Sequence, residues 1–382
     1  MKMIARLRWC RDFARWLALY PKSSRWRVAK DYLSLSKSKG LLMAEYRDFE
    51  FEKQSPAFRD SFLGLNEQRY YLDYLNPKKY YILARNKYLA HRVLESVGIR
   101  MPELYCYYDP EGLYLQCEGV AGDLAAVHRI IRSKGVSSFV VKSPERSHGD
   151  SVFVVSHWED LPDDLLFHLS DGVAKRLSDI LGEYPLVFEE KVVQTAQMAV
   201  LNPSSVNTVR CMTALYPDGE AKLFAAFFKV GRAGKVVDNA GKGGNVDTCV
   251  DVESGEIKYA IQFDGCHSVK DIDVHPDSGA RLNGMVIEGW SSLKEQVCGF
   301  QKAFPFIKVA GWDIAVTDNG PVVIEVNDFW DRIGQLFIRH GWREDVRDCY
   351  LAWKKTGKDY DMERQPNRLS RKELDYIVSR GR

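Results

Sequence analysis

No apolar run in this 382-residue chain is long enough to cross a membrane, and its first residues lack the apolar core of a secretory signal. The eight cysteines, Cys10, Cys106, Cys117, Cys211, Cys249, Cys266, Cys298 and Cys349, are scattered and form no Cys-x-x-Cys pair. That excludes a zinc ribbon and a secreted disulfide framework, and the expectation is a protein of the reducing cytoplasm. No Ser-His-Asp or Cys-His set offers a protein nucleophile. His267 and His275 stand outside metal-ligand spacing and read as ordinary loop residues. Net charge is also small, at +2, and 45% hydrophobic with 28% charged residues is the composition of a soluble globular chain. Its length allows more than one domain.

The small net charge conceals an uneven distribution. Residues 1–40 carry eleven lysines and arginines against Asp12 and Asp31 alone. Ile4, Leu7, Trp9, Phe13, Trp16, Leu17 and Leu19 are interleaved at amphipathic-helix spacing. Two readings stay open. The apolar face packs on the rest of the protein, which is the favoured reading, or residues 1–40 rest peripherally on the inner face of an anionic membrane. Nucleic acid is not expected, because no binding motif accompanies the charge. Residues 41–84 continue as helical, tyrosine-rich sequence; the cluster from Tyr70 to Tyr81 could line a sugar site or belong to a core.

The most informative stretch is Gly311–Asn327, two apolar strands around an Asp-Asn-Gly-Pro turn. Asp313 interrupts the first strand; Glu325 and Asn327 interrupt the second and share a face, being two apart. Symmetric pairing about the turn is expected to bring Asp313 alongside them. Two carboxylates and an amide oxygen form a hard site suited to Mg2+ or Mn2+. The competing reading is a hairpin whose polar residues face water.

Other segments supply candidate parts of a nucleotide site. Lys87 opens a helix that the spacing ends at Gly98. Phe139-Val140-Val141-Lys142 reads as a strand ending in lysine, followed by a small-residue loop with Ser147 and Gly149 that either folds over phosphates or is a plain hairpin. Glu189, Glu190 and Val192 lie at and just beyond a further strand end. Asn207 precedes a strand interrupted by Arg210, whose planar fork suits phosphate or carboxylate. Strand 223–230 leads to a glycine-bearing loop where Lys229, Arg232, Asp238, Asn239 and Lys242 crowd positive and hydrogen-bonding groups, or which is a loose surface loop. Helix is expected from Ser291 to Phe304 and again beyond Asp331, with a solvated basic stretch from Arg364 to Arg382.

The order Lys87, Lys142, Glu189-Glu190-Lys191-Val192, Asn207-Thr208-Val209-Arg210, Asp313 and Glu325-Val326-Asn327 resembles the ATP-grasp superfamily. Asn202-Pro203-Ser204-Ser205-Val206-Asn207-Thr208-Val209-Arg210, Val237-Asp238-Asn239 with Gly243-Gly244, and Trp312-Asp313-Ile314 resemble its sugar-transfer-associated branch. The likeness covers roughly residues 80–340. It implies an α+β fold, with two α+β subdomains clasping ATP after a helical N-terminal region. The expected bounds are 1–84 (helical), 85–190 (lid side), 191–340 (metal and substrate) and 341–382 (helical tail).

The resemblance further implies ATP and Mg2+ (or Mn2+) as cofactors. Lys87, Lys142, Ser147, Gly149, Asn207, Asn239 and Lys242 would contact the nucleotide, with Glu189, Glu190 and Val192 around its nucleoside. Asp313, Glu325 and Asn327 would hold metal, and Arg210 with Lys142 would act in catalysis. The loop at 143–150 departs from the family in carrying a single glycine. The implied activity is ligation of a carboxylate to an amine through an acyl phosphate, on a sugar or polysaccharide precursor, an amino acid or another small molecule. A kinase acting on a hydroxyl and a non-catalytic membrane-associated assembly module are the alternatives.

Overall fold

The computed structural model describes residues 2–114, 117–145, 152–235, 244–263 and 269–358. Ser147, Gly149, Asn239 and Lys242, singled out in the sequence, lie outside the described residues, as does 364–382.

Among the described residues, seven α-helices precede the first strand: α1 (Lys2–Leu17), α2 (Arg25–Lys39), α3 (Met43–Asp48), α4 (Pro56–Ser61), α5 (Leu65–Leu75), α6 (Ile82–Arg85) and α7 (Lys87–Ser96). Asn86 fixes the start of α7, its side chain accepting the Leu89 N–H at 3.1 Å. The first sheet contains β1 (Leu104–Tyr108), β2 (Val120–Ala121), β3 (Phe139–Lys142), β4 (Val152–Leu161), β5 (Asp164–Leu169), β6 (Ala174–Arg176) and β7 (Leu186–Glu190), ordered β2-β1-β7-β3-β4-β5-β6. Val127 and Ile131 of α8 (Leu124–Lys134), and Leu177 of α9 (Leu177–Ile180), pack with Phe139, Phe167 and Phe188 in the core of this half.

After α10 (Ala196–Leu201) comes the second sheet: β8 (Thr208–Leu215), β9 (Ala221–Val230), β10 (Val246–Val250), β11 (Ile257–Phe263), β12 (Val269–Ile272), β13 (Val309–Thr317) and β14 (Gly320–Asn327), ordered β12-β11-β10-β9-β8-β13-β14. Strand alternation gives this sheet two different faces. Cys211, Phe228, Trp312, Ile314 and Val326 meet Leu293 and Val297 of α11 (Trp290–Ala303) on one side. Met212, Ala214 and Phe227 point to the other side. There they are covered by Tyr46, Phe62 and Trp330, by Phe337 of α12 (Gly334–Phe337), and by Trp342 and Val346 of the segment carrying α13 (Arg343–Lys355).

The N-terminal helices are thus part of the second half's core. Asn76, fully buried, donates to the carbonyls of Val309 (2.8 Å) and Asp328 (2.7 Å) and accepts from the N–H groups of Lys308 (2.9 Å) and Val309 (3.0 Å). Those bonds tie the end of α5 to the root of β13 and the exit of β14. Gln335 accepts from Leu63 N–H at 2.8 Å and Trp342 N–H at 3.0 Å, and Arg343 pairs with Glu67 at 2.8 Å. Between the two readings left open for the tyrosines, core wins for Tyr71 and Tyr74, which are buried and pack edgewise or tilted on Tyr350. The first helix packs as favoured, through Trp16, which is buried against Tyr32 and Tyr46.

Candidate active site

Beyond the helices that cover it, the inner face of the second sheet turns polar. Arg210 lies two residues before Met212, and Lys229 two residues after Phe227, so both share the face of the buried apolar residues but emerge past their cover. Asp313 lies directly opposite Arg210 in the β8–β13 ladder. Arg210 grips it with both arms, Nε to Oδ1 at 2.6 Å and Nη2 to Oδ2 at 2.7 Å. The Lys229 ammonium lies 2.9 Å from Oδ1. Burial alone would raise the Asp313 carboxyl; Arg210 and Lys229 outweigh it and hold the group well below the ordinary carboxylate range.

The β13–β14 hairpin forms where the sequence placed it, but its pairing is not symmetric. Symmetry about the Thr317–Gly320 turn pair would set Asp313 opposite Ile324. A one-residue bulge at Ile324 moves the register so that Asp313 faces Glu325 and Gly311 faces Asn327. The displaced Ile324 packs with Val192, Val206, Ala315 and Val322. Val192, expected near the nucleoside, is therefore part of a small apolar floor beside the carboxylates.

Glu325 is half-buried, and the Lys87 ammonium at the start of α7 approaches its Oε1 at 3.6 Å. Burial pushes Lys87 below its ordinary value, partly offset by Glu325; Lys142 lowers it further, and Glu189 opposes. These charges from both sheets therefore gather in one place. Lys142 and Glu189 are both buried and form an ion pair. Glu190 turns elsewhere: its carboxylate accepts the Glu103 N–H at 3.1 Å and its own N–H donates to Glu103 O at 2.8 Å. The adjacent acids are thus distinguished, with Glu189 facing the lysines.

Asn207 is placed differently from the charged residues. Its fully buried amide donates to Gln194 Oε1 (3.2 Å) and to the carbonyls of Met198 (3.0 Å) and Asn202 (3.1 Å), and it accepts the Gly231 N–H at 3.1 Å. Those bonds close α10 and the following loop onto β9.

The oxygen set fits a hard divalent cation in part. Asn327 turns its amide nitrogen to Gly311 O at 3.3 Å, leaving the other end of the amide as the acceptor, and among the described residues the cation beside Glu325 is the more distant Lys87. Asp313 has both oxygens engaged by cations, so it joins such a set only if Arg210 and Lys229 yield.

Sequence reasoning grouped Lys229 with the loop beyond it; the structure puts it on Asp313. Asp247, which it did not single out, is buried on β10 directly opposite Lys229. The available signal was an acid inside the apolar run Val246–Val250. His275 is a buried residue and not an ordinary loop histidine: its Nε2 lies 3.1 Å from Gly231 O, and burial lowers its pKa. His157, Glu159 and His168, also not singled out, have ligand-type atoms within 4.8 Å of one another on the β4–β5 hairpin.

The likeness to solved structures is broad and shallow. N5-carboxyaminoimidazole ribonucleotide synthetase from Thermotoga maritima aligns at 14% identity and a TM-score of 0.40, over 73% of this chain and 52% of that one. D-alanine–D-alanine ligase from Bacillus anthracis aligns at 15% and 0.38, over 72% and 70%. Biotin carboxylase from Campylobacter jejuni aligns at 10% and 0.39, over 71% and 46%. The alignments thus span from about half to seven-tenths of those chains. No curated protein matches the sequence. The family described as sugar-transfer associated ATP-grasp matches residues 66–347, most of the chain and all the site residues above. A match over so much of the sequence shows the family: the chain belongs to the sugar-transfer-associated ATP-grasp family.

Proposed function

We propose that the protein is an ATP- and Mg2+-dependent carboxylate–amine ligase acting through an acyl phosphate. The observation that carries this reading is the convergence of Lys87, the Lys142–Glu189 pair and Glu325 where the two sheets meet, beside Asp313, Arg210 and Lys229. Lysines from both halves would share the nucleotide's phosphates, each giving up a carboxylate contact for a phosphate oxygen. Glu189, released from Lys142, becomes the acid facing the ribose, and the Val192 cluster underlies the base. Glu325 and Asn327 would hold the metal, with Asp313 joining if its cations move to the phosphates. A bound divalent metal neutralises phosphate charge as the transferring group leaves ADP.

The substrate carboxylate attacks the γ-phosphorus and ADP departs. The amine nitrogen then attacks the acyl carbon, phosphate leaves, and the amine loses a proton. Arg210 would steady the oxygens of the acyl phosphate, its fork matching two of them at once. The acceptor class we favour is a sugar or polysaccharide precursor, in keeping with the family's association, or an amino acid.

The test is Mg2+-dependent release of phosphate and ADP with a panel of uronic acids, amino sugars and amino acids, wild type beside Glu325→Ala. The ligase reading expects phosphate release that requires both a carboxylate and an amine and is lost in the variant. ADP without free phosphate would replace it with hydroxyl phosphorylation, and absence of any turnover with absence of ATP binding would overturn it.

A further inference from the structure

The first two helices present a second, outward face that the described residues leave uncovered. On α2, Trp26, Lys30, Leu33 and Lys37 recur at i, i+4, i+7 and i+11, one stripe of a helix. Opposite it, Val28, Ala29 and Tyr32 are buried. Trp26 is 82% exposed and Leu33 46%. Leu19, in the turn between the helices, is 63% exposed, and Leu7 on α1 is 65% exposed. Isolated exposed leucines are ordinary, but a tryptophan so fully in water on a lysine-bearing stripe is not.

The charge around it is one-sided. Arg8, Arg11, Arg15, Lys22, Arg27, Lys30 and Lys37 are all exposed. Among the described residues, Arg8 and Arg11 form ion pairs with Asp12 alone, at 3.9 and 3.5 Å. Two basic residues of this segment serve the fold instead: Arg25 donates to Tyr20 O and Ala18 O, and Lys39 to Arg59 O and Asp60 O. Since the chain as a whole carries only +2, everything after residue 40 is net acidic. The first forty residues thus carry a strong local excess of positive charge on helices that Trp16 and Tyr32 tie into the core.

We propose that the outward face of α1 and α2 is a docking surface for an anionic lipid bilayer. The basic residues meet the headgroup charge while Trp26, Leu33, Leu19 and Leu7 enter the interfacial zone, where indole is favoured and aliphatic side chains gain burial. A nucleic acid would satisfy the charge but has no use for three exposed leucines. A second copy paired through this same face would bring the same positive field against itself. The inference is independent of the ATP reading.

The experiment is flotation of the full chain with vesicles of phosphatidylcholine alone or mixed with phosphatidylglycerol, at low and high salt. The variants are Trp26→Ser with Leu33→Ser, and Lys30→Glu with Lys37→Glu, each first shown to keep the wild-type melting temperature. Expected are binding to the anionic vesicles only, weakened by salt, and a loss of at least roughly tenfold in either double variant. Equal partition of wild type and variants would overturn the proposal. So would binding indifferent to Trp26 and Leu33 and transferable to RNA, or concentration-dependent dimerisation in place of vesicle binding.

Discussion

Asp313 sits between two cations in a buried setting, and that fixes what its neighbours are worth. Removing Arg210 leaves a desolvated carboxylate that Lys229 still contacts. Arg210→Ala should cost about 3–5 kcal/mol in urea unfolding, the range for breaking a buried pair. The pH response has a definite sign. The folded Asp313 carboxyl is held below its unfolded value, so its stabilising contribution is complete above about pH 4 and is lost as pH falls further. Asp313→Asn should therefore narrow the stability gap to wild type in acid and widen it toward neutrality, as read by urea midpoints across pH. Asp313, Glu325 and Asn327 were legible in the sequence because oxygen-bearing residues interrupt apolar strands. Lys229 and Asp247 interrupt strands too, but their partners are set by pairing across the sheet, which one sequence does not display. The family resemblance names Asn207 as a nucleotide contact; the backbone groups it satisfies belong to α10 and the loops, and are invisible without the fold.

At the scale of elements, the helix α7, the β13–β14 hairpin and α11 all follow from local signals: apolar spacing with a glycine stop, a turn and a helical period. The bulge at Ile324 does not, because nothing in Val323-Ile324-Glu325 marks which residue the ladder will skip. Nor does the pairing of β3 with β7, distant in sequence, which brings Lys142 to Glu189. The hairpin's root depends on one side chain from another region. Asn76→Ala would leave four buried backbone groups of Lys308, Val309 and Asp328 without this partner. At ~1–3 kcal/mol for each group left unsatisfied, a total loss of at least about 3 kcal/mol is expected in the urea midpoint, and Asn76→Asp should recover only part of it.

Across the whole molecule, the two ends of the described chain close on each other over the second sheet. The Gly341 N–H donates to Ser61 Oγ at 2.9 Å, and a Cβ on Gly341 would stand 2.0 Å from the Ser61 carbonyl oxygen. Gly341→Ala therefore forces the α4 end away from the C-terminal segment, and a loss of about 1–3 kcal/mol or more should appear as a lower melting temperature. Deleting residues 1–84 should do worse: Trp330, Phe337 and Trp342 would lose Tyr46, Phe58 and Phe62, and the truncated chain is expected to aggregate on expression. The expected helical N-terminal region was legible, but its role in the core was not, since contacts such as Gln335 to Leu63 span 272 residues. The account's centre remains the meeting of both halves on one nucleotide. Its most direct test is titration of ATP into wild type, Lys142→Met, Glu325→Gln and Asn327→Ala, with and without Mg2+. Expected are Mg2+-dependent binding to wild type, weak binding to Lys142→Met whatever the metal, and loss of the Mg2+ effect in the other two variants. Absence of ATP binding by wild type, or a Mg2+ effect untouched by Glu325→Gln and Asn327→Ala, would contradict it.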